Sequence, residues 1–315
     1  MIHGFIAGVT WALETVILGI AFGMTPFVTT EQAIFLAPFV STFLHDACSS
    51  LYMLIYNLLR GNIKKILGVI RTPSFKWLVL SSAIGGPIGM TGYVMAVRYM
   101  GASVGAVASA VYPAIGTALA CIFLREKVRW YRWIFLGLTL LCVYGLSSSP
   151  VLVIENLWLG ALGVLMCAFG WGTEAVILAK CLRDSELTNE TALFIRQTVS
   201  ALIYGAVIIP LLGGVKFTFG LFRVENVTAL LTVAAAALCA TVSYLFYYLA
   251  IEKTGASKAM ALNITYTAWA VIFSLILLRD TSMLNPMTLG LACAVVIFGI
   301  LAAADAEALF KKRKS

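Results

Sequence analysis

Charged side chains are scarce in this chain. Only 11% of its 315 residues are Asp, Glu, Lys or Arg, whereas a soluble domain carries roughly 25%. Apolar residues make up 61% of the sequence. The apolar runs are too long and too numerous for a soluble core, because a stretch of about 20 apolar residues spans a bilayer. The composition therefore excludes a soluble globular domain and predicts a polytopic membrane protein.

Motifs for metals, cofactors and catalysis are missing as well. The seven cysteines show no CxxC or CxxH spacing, and most of them lie inside apolar runs, where cysteine behaves as a small hydrophobic residue. There is no HExxH sequence, no nucleophile motif and no cofactor fingerprint. We therefore expect no metal site, no disulfide framework and no cofactor, and we predict that the protein is not an enzyme.

What the sequence does contain is a series of ten apolar runs, with boundaries uncertain by about 2–4 residues. They predict an all-α integral membrane protein with ten transmembrane helices. The first run could be mistaken for a signal peptide, but it lacks a basic leading region and contains Trp11 and Glu14, so we interpret it as a true span. The runs are 2–24, 34–58, 77–97, 103–124, 132–149, 157–179, 190–212, 227–251, 256–278 and 286–306.

Positive charge predicts the orientation. With the N-terminus inside, the inner loops and the tail hold 17 Lys and Arg residues and the outer loops hold 4. Because cytoplasmic loops carry the excess of positive charge, we predict that both termini lie in the cytoplasm and that residues 307–315 form a basic cytoplasmic tail. The formal net charge of +8 then reflects these loops, and it gives no support to a nucleic-acid partner.

One short motif occurs twice. Trp11 and Glu14 in the first run are matched by Trp171 and Glu174 in the sixth, with the same spacing. Residues at i and i+3 share a helix face, so each copy presents a ring and an acid together. An acid in lipid costs roughly 2.5–3.5 kcal/mol on insertion scales, so each acid must face protein or a wet cavity. An acid beside an aromatic ring suits an organic cation.

Further matches keep the same order along the chain. They predict a repeat of five spans, at residues 1–149 and 150–306, and an odd number of spans inverts the second copy in the membrane. Inverted repeats are typical of secondary transporters, which bind substrate near the midplane. A duplication kept only for packing is the alternative, which the repetition of costly acids and rings disfavours. The matches are Gly101-Ala102-Ser103 with Gly255-Ala256-Ser257, Tyr93 with Tyr247, Ala96 with Ala250, Tyr112 with Tyr266, and Leu124-Arg125 with Leu278-Arg279.

Three more ionisable residues lie inside apolar runs. His45 and Asp46 are in the second run, where a histidine suits proton relay. Adjacent helical residues point about 100° apart, so we do not expect the two to act as one bidentate device. Arg196 lies in the seventh run, and a buried arginine needs a carboxylate. We expect it to form an ion pair that locks or gates, with Asp46, Glu14 or Glu174 as its candidate partners.

Polar and aromatic residues also follow one another in the ninth run. Asn263, Tyr266 and Trp269 are spaced i, i+3 and i+6, and Tyr112 precedes Pro113 in the fourth run. Several rings and one acid around a cavity form the cage that binds quaternary ammonium groups. The tyrosines at 244, 247 and 248 are more typical of packing or of an interface belt. The glycines and the proline of 85–89, like Pro113, predict a kink or a loosened helix.

These features resemble the EamA-type branch of the drug/metabolite transporter superfamily, over essentially the whole chain. The sequence is more closely similar to the LicB-type choline importers. That similarity rests on His45-Asp46, Gly86-Pro87-Ile88-Gly89-Met90, Ala110-Val111-Tyr112-Pro113-Ala114-Ile115, Trp171-Gly172-Thr173-Glu174, Ser185-Glu186-Leu187, Ile195-Arg196-Gln197, Ser243-Tyr244-Leu245 and Asn263-Ile264-Thr265-Tyr266-Thr267-Ala268-Trp269. The resemblance implies choline import with protons through an aromatic pocket that contains a glutamate.

Carried onto this sequence, the resemblance assigns roles to residues. Glu174 would be the counter-ion, and His45 and Asp46 would be candidates for coupling or gating. Glu14 departs from the family's pattern, and a second acid would favour a more highly charged cation or would carry the proton. The walls of the cage would be Trp11, Tyr112, Trp171, Tyr266 and Trp269.

We therefore expect an alternating-access importer of choline or a related quaternary amine, coupled to protons, in a bacterial cytoplasmic membrane. An exporter of amino acids, metabolites or drugs with the same fold is the nearest alternative, which would gain support if Arg196 lined the pocket. An intramembrane enzyme could use the paired acids and the histidine, but the motifs for it are absent. A membrane scaffold that transports nothing would not need acids at the midplane. Nothing in the sequence indicates an oligomeric state.

Overall fold

The computed structural model describes residues 1–100, 102–147, 154–183, 187–279, 281 and 284–305, and at 102–108 it describes the backbone alone. Every regular element in these ranges is helical, which confirms the all-α prediction. Nine of the helices found there are long and apolar enough to cross a membrane. The basic tail from 307 onward and the pair Ser185-Glu186 lie outside the described residues.

Ten long helices, labelled here in chain order, each cover one of the ten apolar runs. The helix over the fourth run is described with its side chains only from residue 109, and it is not among the nine apolar spans, so the tenth span stays a prediction. Short helices at Ile63–Val69 and Val215–Gly220 lie in the connections. The ten are α1 Ile2–Phe22, α2 Glu31–Leu59, α3 Pro73–Met100, α4 Ala102–Phe123, α5 Trp130–Ser147, α6 Leu157–Cys181, α7 Asn189–Leu211, α8 Val227–Thr254, α9 Ala256–Leu278 and α10 Pro286–Ala303.

Several helix starts are fixed by their capping residues. The first N–H groups of a helix have no partner within it, and a side-chain oxygen just before the helix can accept one of them. Four helices begin this way, with oxygens that accept from the backbone N–H three residues later at 2.9–3.3 Å. The caps are Thr30 for α2, Asn156 for α6, Thr188 for α7 and Asn285 for α10.

The helices pack in pairs that correspond between the two halves. Helix α1 packs along α8, and α6 packs along α3, which is the same pairing under the sequence repeat. Helix α6 also packs against α4, as α1 does against α9, while α2 meets α7 and α5 meets α10. The matched residues Arg125 and Arg279 share a left-handed backbone, with φ of 56° and 53°. These correspondences agree with a five-helix repeat, although its boundaries and its inversion stay predictions.

Three of these helices depart from regular α-geometry: α7 is π-helical at Tyr204–Ile208, and α3 and α9 depart beside the cavity. In α3 the turn Ile84–Gly89 is π-helical, at the glycines and the proline where the sequence predicted a kink or a loosened helix. Close packing explains the glycines, since a Cβ added at Gly85 would overlap the carboxylate of Glu174. In α9 the helix is broken at Ile264 and Thr265, between stretches that end at Asn263 and resume at Tyr266. The sequence did not predict this break, at which both residues keep right-handed helical angles and the turn tightens to hydrogen bonds between residues three apart.

Candidate functional site

A cavity of about 510 Å³ lies between the two halves of the bundle. Its wall is formed by side chains from α1, α2, α3 and α4 of the first half and from α6, α7, α8 and α9 of the second. Ten of the eleven site residues that the sequence singled out line it; only Trp269 does not. The ten are Trp11, Glu14, His45, Asp46, Tyr112, Trp171, Glu174, Arg196, Asn263 and Tyr266.

The repeated residues converge on this one cavity. Trp11 and its match Trp171 both line it, as do the two acids that follow them by one helical turn. Two matched tyrosine pairs do the same, Tyr93 with Tyr247 and Tyr112 with Tyr266. The repeat therefore supplies each half of the wall with an acid, a tryptophan and two tyrosines.

Arg196 holds the acid of the second half. Its Nε donates to Glu174 Oε1 at 2.8 Å, and both residues are buried. Its Nη1 donates to Gln197 Oε1 at 2.7 Å and more weakly to Asp46 Oδ2 at 3.4 Å. The guanidinium carbon lies 4.9 Å from the centre of the Tyr244 ring. Two of the three carboxylates expected as partners thus contact Arg196, which also lines the cavity.

The acid of the first half has a different neighbour. Glu14 Oε1 lies 3.8 Å from His45 Nε2, too far for a hydrogen bond, and Glu14 Oε2 accepts from Thr15 Oγ1 at 3.2 Å. Nδ1 of His45 lies 2.9 Å from Asp46 Oδ1. Nε2 of His45 is buried and has no hydrogen-bond partner among the described residues.

His45 and Asp46 contact each other although they are adjacent on the helix, while the expectation that they do not act as one bidentate device stays a prediction. Rotation about their side-chain bonds brings the ring and the carboxylate together despite the angle between them on the helix. The two oxygens of Asp46 are then divided, Oδ1 toward His45 and Oδ2 toward Arg196. The five ionisable side chains consequently form one series across the cavity wall: Glu14, His45, Asp46, Arg196 and Glu174.

The formal charge of this wall is negative. Three carboxylates face one guanidinium, so the charge of the described lining is −2 with a neutral histidine and −1 with a protonated one. Charges interact far more strongly in a poorly hydrated interior than in water. An incoming cation is therefore favoured by the wall, and an anion is disfavoured.

Aromatic rings surround these charges and fix one another in place. Trp171 stacks beside Tyr93 with centroids 6.1 Å apart and meets Tyr112 edge-on at 5.9 Å. Trp11 meets Tyr244 edge-on at 5.1 Å. Four tyrosines that the sequence did not assign to the site, Tyr93, Tyr244, Tyr247 and Tyr248, also line the cavity. The match of Tyr93 to Tyr247 in the repeat was the signal that could have found two of them.

Helix α9 contributes polar groups. Asn263 Nδ2 donates to the Tyr112 hydroxyl at 3.0 Å, and the hydroxyls of Tyr266 and Ser109 lie 3.1 Å apart. Oδ1 of Asn263 is buried and has no hydrogen-bond partner among the described residues. It is therefore a buried acceptor that no described residue satisfies, on a side chain that lines the cavity.

The predicted stripe on α9 does not reach Trp269. Its ring packs edge-on against Phe5 at 5.3 Å, outside the cavity lining. A residue six positions after Asn263 lies about 120° around the helix from it, since each residue turns 100°. The break at Ile264 and Thr265 interrupts the stripe further. Tyrosines of α3 and α8 line the cavity, and Trp269 does not.

The two ends of the bundle differ. The cavity lining reaches Phe22 in the last turn of α1 and Val97 near the end of α3, which the predicted orientation places on the outside. At the opposite end, Glu126 accepts hydrogen bonds from the backbone N–H groups of Ala256 at 2.9 Å and Ser257 at 3.2 Å. It also accepts from Ser257 Oγ at 2.5 Å. Polar contacts thus join the end of α4 to the start of α9.

Comparisons with known proteins agree with this architecture. The model of the EamA-like transporter family matches residues 2–148 and again residues 158–304. Protein LicB of Haemophilus influenzae is 27% identical over 289 residues, which is 91% of each chain. A protein of known crystal structure superposes with a TM-score of 0.72 over 96% of both chains at 18% identity, a likeness that shows the fold.

Proposed function

Because the chain belongs to the EamA-like transporter family, whose members are membrane transporters and not enzymes, we propose a substrate for it: choline or a related quaternary amine. One observation carries this proposal. The cavity wall combines three carboxylates against one guanidinium with a lining of tryptophan and tyrosine rings. A quaternary ammonium group has no N–H to donate, so ring faces and carboxylates are the groups that bind it. The 27% identity to Protein LicB supports this choice, given the resemblance to LicB-type importers.

The transporter works by alternating access and imports its substrate across a bacterial cytoplasmic membrane. The cation enters from the end of the cavity near Phe22 and binds among the rings, with Glu174 as its counter-ion. The two halves then rock, and the contacts of Glu126 with the start of α9 open to release the substrate. Small polar contacts of this kind can break and re-form as packed helices shift.

Protons are coupled to import through Glu14 and His45. When Nδ1 of His45 donates to Asp46, Nε2 is the nitrogen that can take or give a proton, and it faces Glu14. Histidine changes its charge between pH 5 and 8. A proton held between these two residues and a cation bound near Glu174 together neutralise the −2 wall, so the two can cross together although each lowers the affinity for the other. The empty carrier returns after the proton has left.

An exporter of amino acids, metabolites or drugs is the second candidate, because Arg196 lines the cavity. An anionic or zwitterionic substrate needs a positive charge that is free to bind its carboxylate. The guanidinium of Arg196 already contacts Glu174, Asp46 and Gln197, which leaves the wall negative. The balance of charge therefore supports the cation importer.

The direct test is binding to the purified protein in detergent or nanodiscs. Choline is expected to bind, and glycine betaine, which adds a carboxylate to the same trimethylammonium group, is expected to bind at least about tenfold more weakly (1.4 kcal/mol). Glu174→Gln should weaken choline binding, whereas Glu155→Gln, at an exposed acid paired with Arg98 outside the cavity lining, should leave it unchanged. A folded wild-type protein that binds betaine as well as choline would favour the second candidate.

A further inference from the structure

We propose that Arg196 is a tethered cation that competes with the substrate for Glu174. In the substrate-free protein the guanidinium occupies the place on this carboxylate that the ammonium group of the substrate takes. This inference rests on the proposed function and goes beyond it, because it assigns Arg196 a part in each transport cycle. The alternative is that Arg196 is a static ion-pair partner of Glu174.

The contacts of Arg196 are those expected of the substrate. Its Nε lies 2.8 Å from Glu174 Oε1, and its guanidinium carbon lies 4.9 Å from the centre of the Tyr244 ring. A carboxylate and an aromatic face are the two groups that bind an organic cation. Arg196, Glu174 and Tyr244 all line the cavity. In the empty cavity the Arg196 side chain therefore makes the contacts with the carboxylate and the ring that the substrate makes in the loaded cavity.

Glu174 is fixed, so Arg196 is the partner that moves. The carboxylate lies against α3 at Gly85, where even an added Cβ would overlap it. Helices α3 and α6 are equally close one turn earlier, since a Cβ added at Gly170 would lie 2.8 Å from Gly89 Cα. The arginine, in contrast, has a long side chain with several rotatable bonds. An incoming cation consequently displaces the guanidinium and leaves the carboxylate in place.

A displaced Arg196 keeps other partners. Its Nη1 already donates to Gln197 Oε1 at 2.7 Å and lies 3.4 Å from Asp46 Oδ2. Asp46 is itself held by His45 through its other oxygen at 2.9 Å. A small shift toward Asp46 therefore releases Glu174 without leaving the guanidinium as an unpaired buried charge, which would be strongly unfavourable.

The exchange has a consequence for transport. A carrier that returns empty must carry Glu174 through a closed intermediate, where an unpaired carboxylate is costly. Arg196 neutralises the carboxylate on the empty return, and the substrate neutralises it on the loaded passage. Net uptake needs both passages, whereas exchange of inside for outside substrate needs only the loaded one. Loss of the tethered cation should therefore block net uptake and spare exchange.

The test compares Arg196→Met and Arg196→Lys with wild type in proteoliposomes and in a binding assay. Arg196→Met is expected to bind choline about tenfold more tightly, because no competitor holds the site. It should exchange labelled choline at a rate near that of wild type and should lose net uptake into choline-free vesicles by tenfold or more. Arg196→Lys, which keeps the charge but lacks the planar fork of donors, should lie between. Arg98→Met, which removes an exposed arginine paired with Glu155, is the matched control.

Each outcome separates the two proposals. A wild-type protein that binds neither choline nor tetramethylammonium overturns the proposed function, and this inference with it. A wild type that binds choline, with folded Arg196 variants that bind it more weakly or that lose exchange and net uptake in parallel, overturns the inference alone. Thermal unfolding and size exclusion establish folding, and if Arg196→Met does not fold, the same ratio of exchange to net uptake in Arg196→Lys decides.

Discussion

The two halves of this transporter place the same acid in the same cavity and give it different neighbours. Glu174 has a guanidinium at 2.8 Å, a partner that stays charged at every physiological pH. Glu14 has a histidine at 3.8 Å, a partner that changes charge near neutrality. The duplicated motif has therefore diverged through its surroundings: one copy suits exchange of a cation for a cation, and the other suits exchange of a proton.

The largest expected effect comes from removing each acid in turn. Glu174→Gln should weaken choline binding by about 100-fold or more, because a close, desolvated charge pair is worth about 2–5 kcal/mol. Glu14→Gln should change binding much less at a fixed pH, and should remove the dependence of uptake on a proton gradient. Isothermal titration and uptake with and without the gradient measure the two. Equal losses of binding in both variants would contradict the division of roles.

A smaller effect is expected from Gly85, the glycine that packs directly against the Glu174 carboxylate. Gly85→Ala should destabilise the protein by about 1–3 kcal/mol through overpacking and should displace the Glu174 carboxylate. Choline binding should fall with it. Gly137→Ala in α5 is the control, because a Cβ at that position meets no atom within 4 Å. Thermal unfolding and choline titration of both variants measure the difference, and similar losses in the two would refute the role of Gly85.

The Glu14 side should set the response to pH. Protonation of His45 changes the charge of the wall from −2 to −1, so choline affinity should fall as pH drops through the range in which histidine titrates, roughly pH 8 to 5. His45→Gln should flatten this dependence. Binding titrations at several pH values, beside a variant of His3 outside the cavity lining, measure it. An unchanged pH profile in His45→Gln would assign the proton elsewhere.

The smallest effect concerns the hydroxyl group of choline, at the end of the substrate away from the ammonium group. The unpartnered Oδ1 of Asn263 can accept the hydroxyl of choline. A single hydrogen bond of this kind is worth about 1 kcal/mol, so Asn263→Ala should weaken choline binding about fivefold. Tetramethylammonium, which has no hydroxyl, should bind wild type and variant alike. Competition binding with both cations measures it, and a parallel loss for both would place the hydroxyl away from Asn263.

Much of this architecture could be predicted from the sequence because membrane spans carry strong local signals. Each of the ten apolar runs overlaps one long helix to within a few residues at either end. The duplicated Trp and Glu residues pointed to a shared cavity, since acids inside apolar runs must avoid lipid. Ten of the predicted site residues line that cavity. Their roles toward the substrate stay predictions, which the variants above test.

The remaining features depend on contacts between distant segments. The break in α9 has no proline or glycine beside it, and these are the residues by which a sequence usually predicts a helix break. The tyrosines of α8 were interpreted as packing residues, because the sequence alone does not show which face of a helix lines the cavity. The pairing of Arg196 with Glu174 and Asp46 was among the expected combinations, but only the tertiary packing chooses between carboxylates on three helices.

The contacts of Glu126 join the two halves of the bundle at the end opposite Phe22. This end is held by hydrogen bonds to the first residues of α9, not by interlocking apolar side chains alone. The acceptor is a carboxylate, so breaking one of these bonds costs a net of about 1.5–3 kcal/mol, part of which water returns when it replaces the bond. In the proposed import cycle, wetting of these polar groups should therefore both follow and assist the opening of this end.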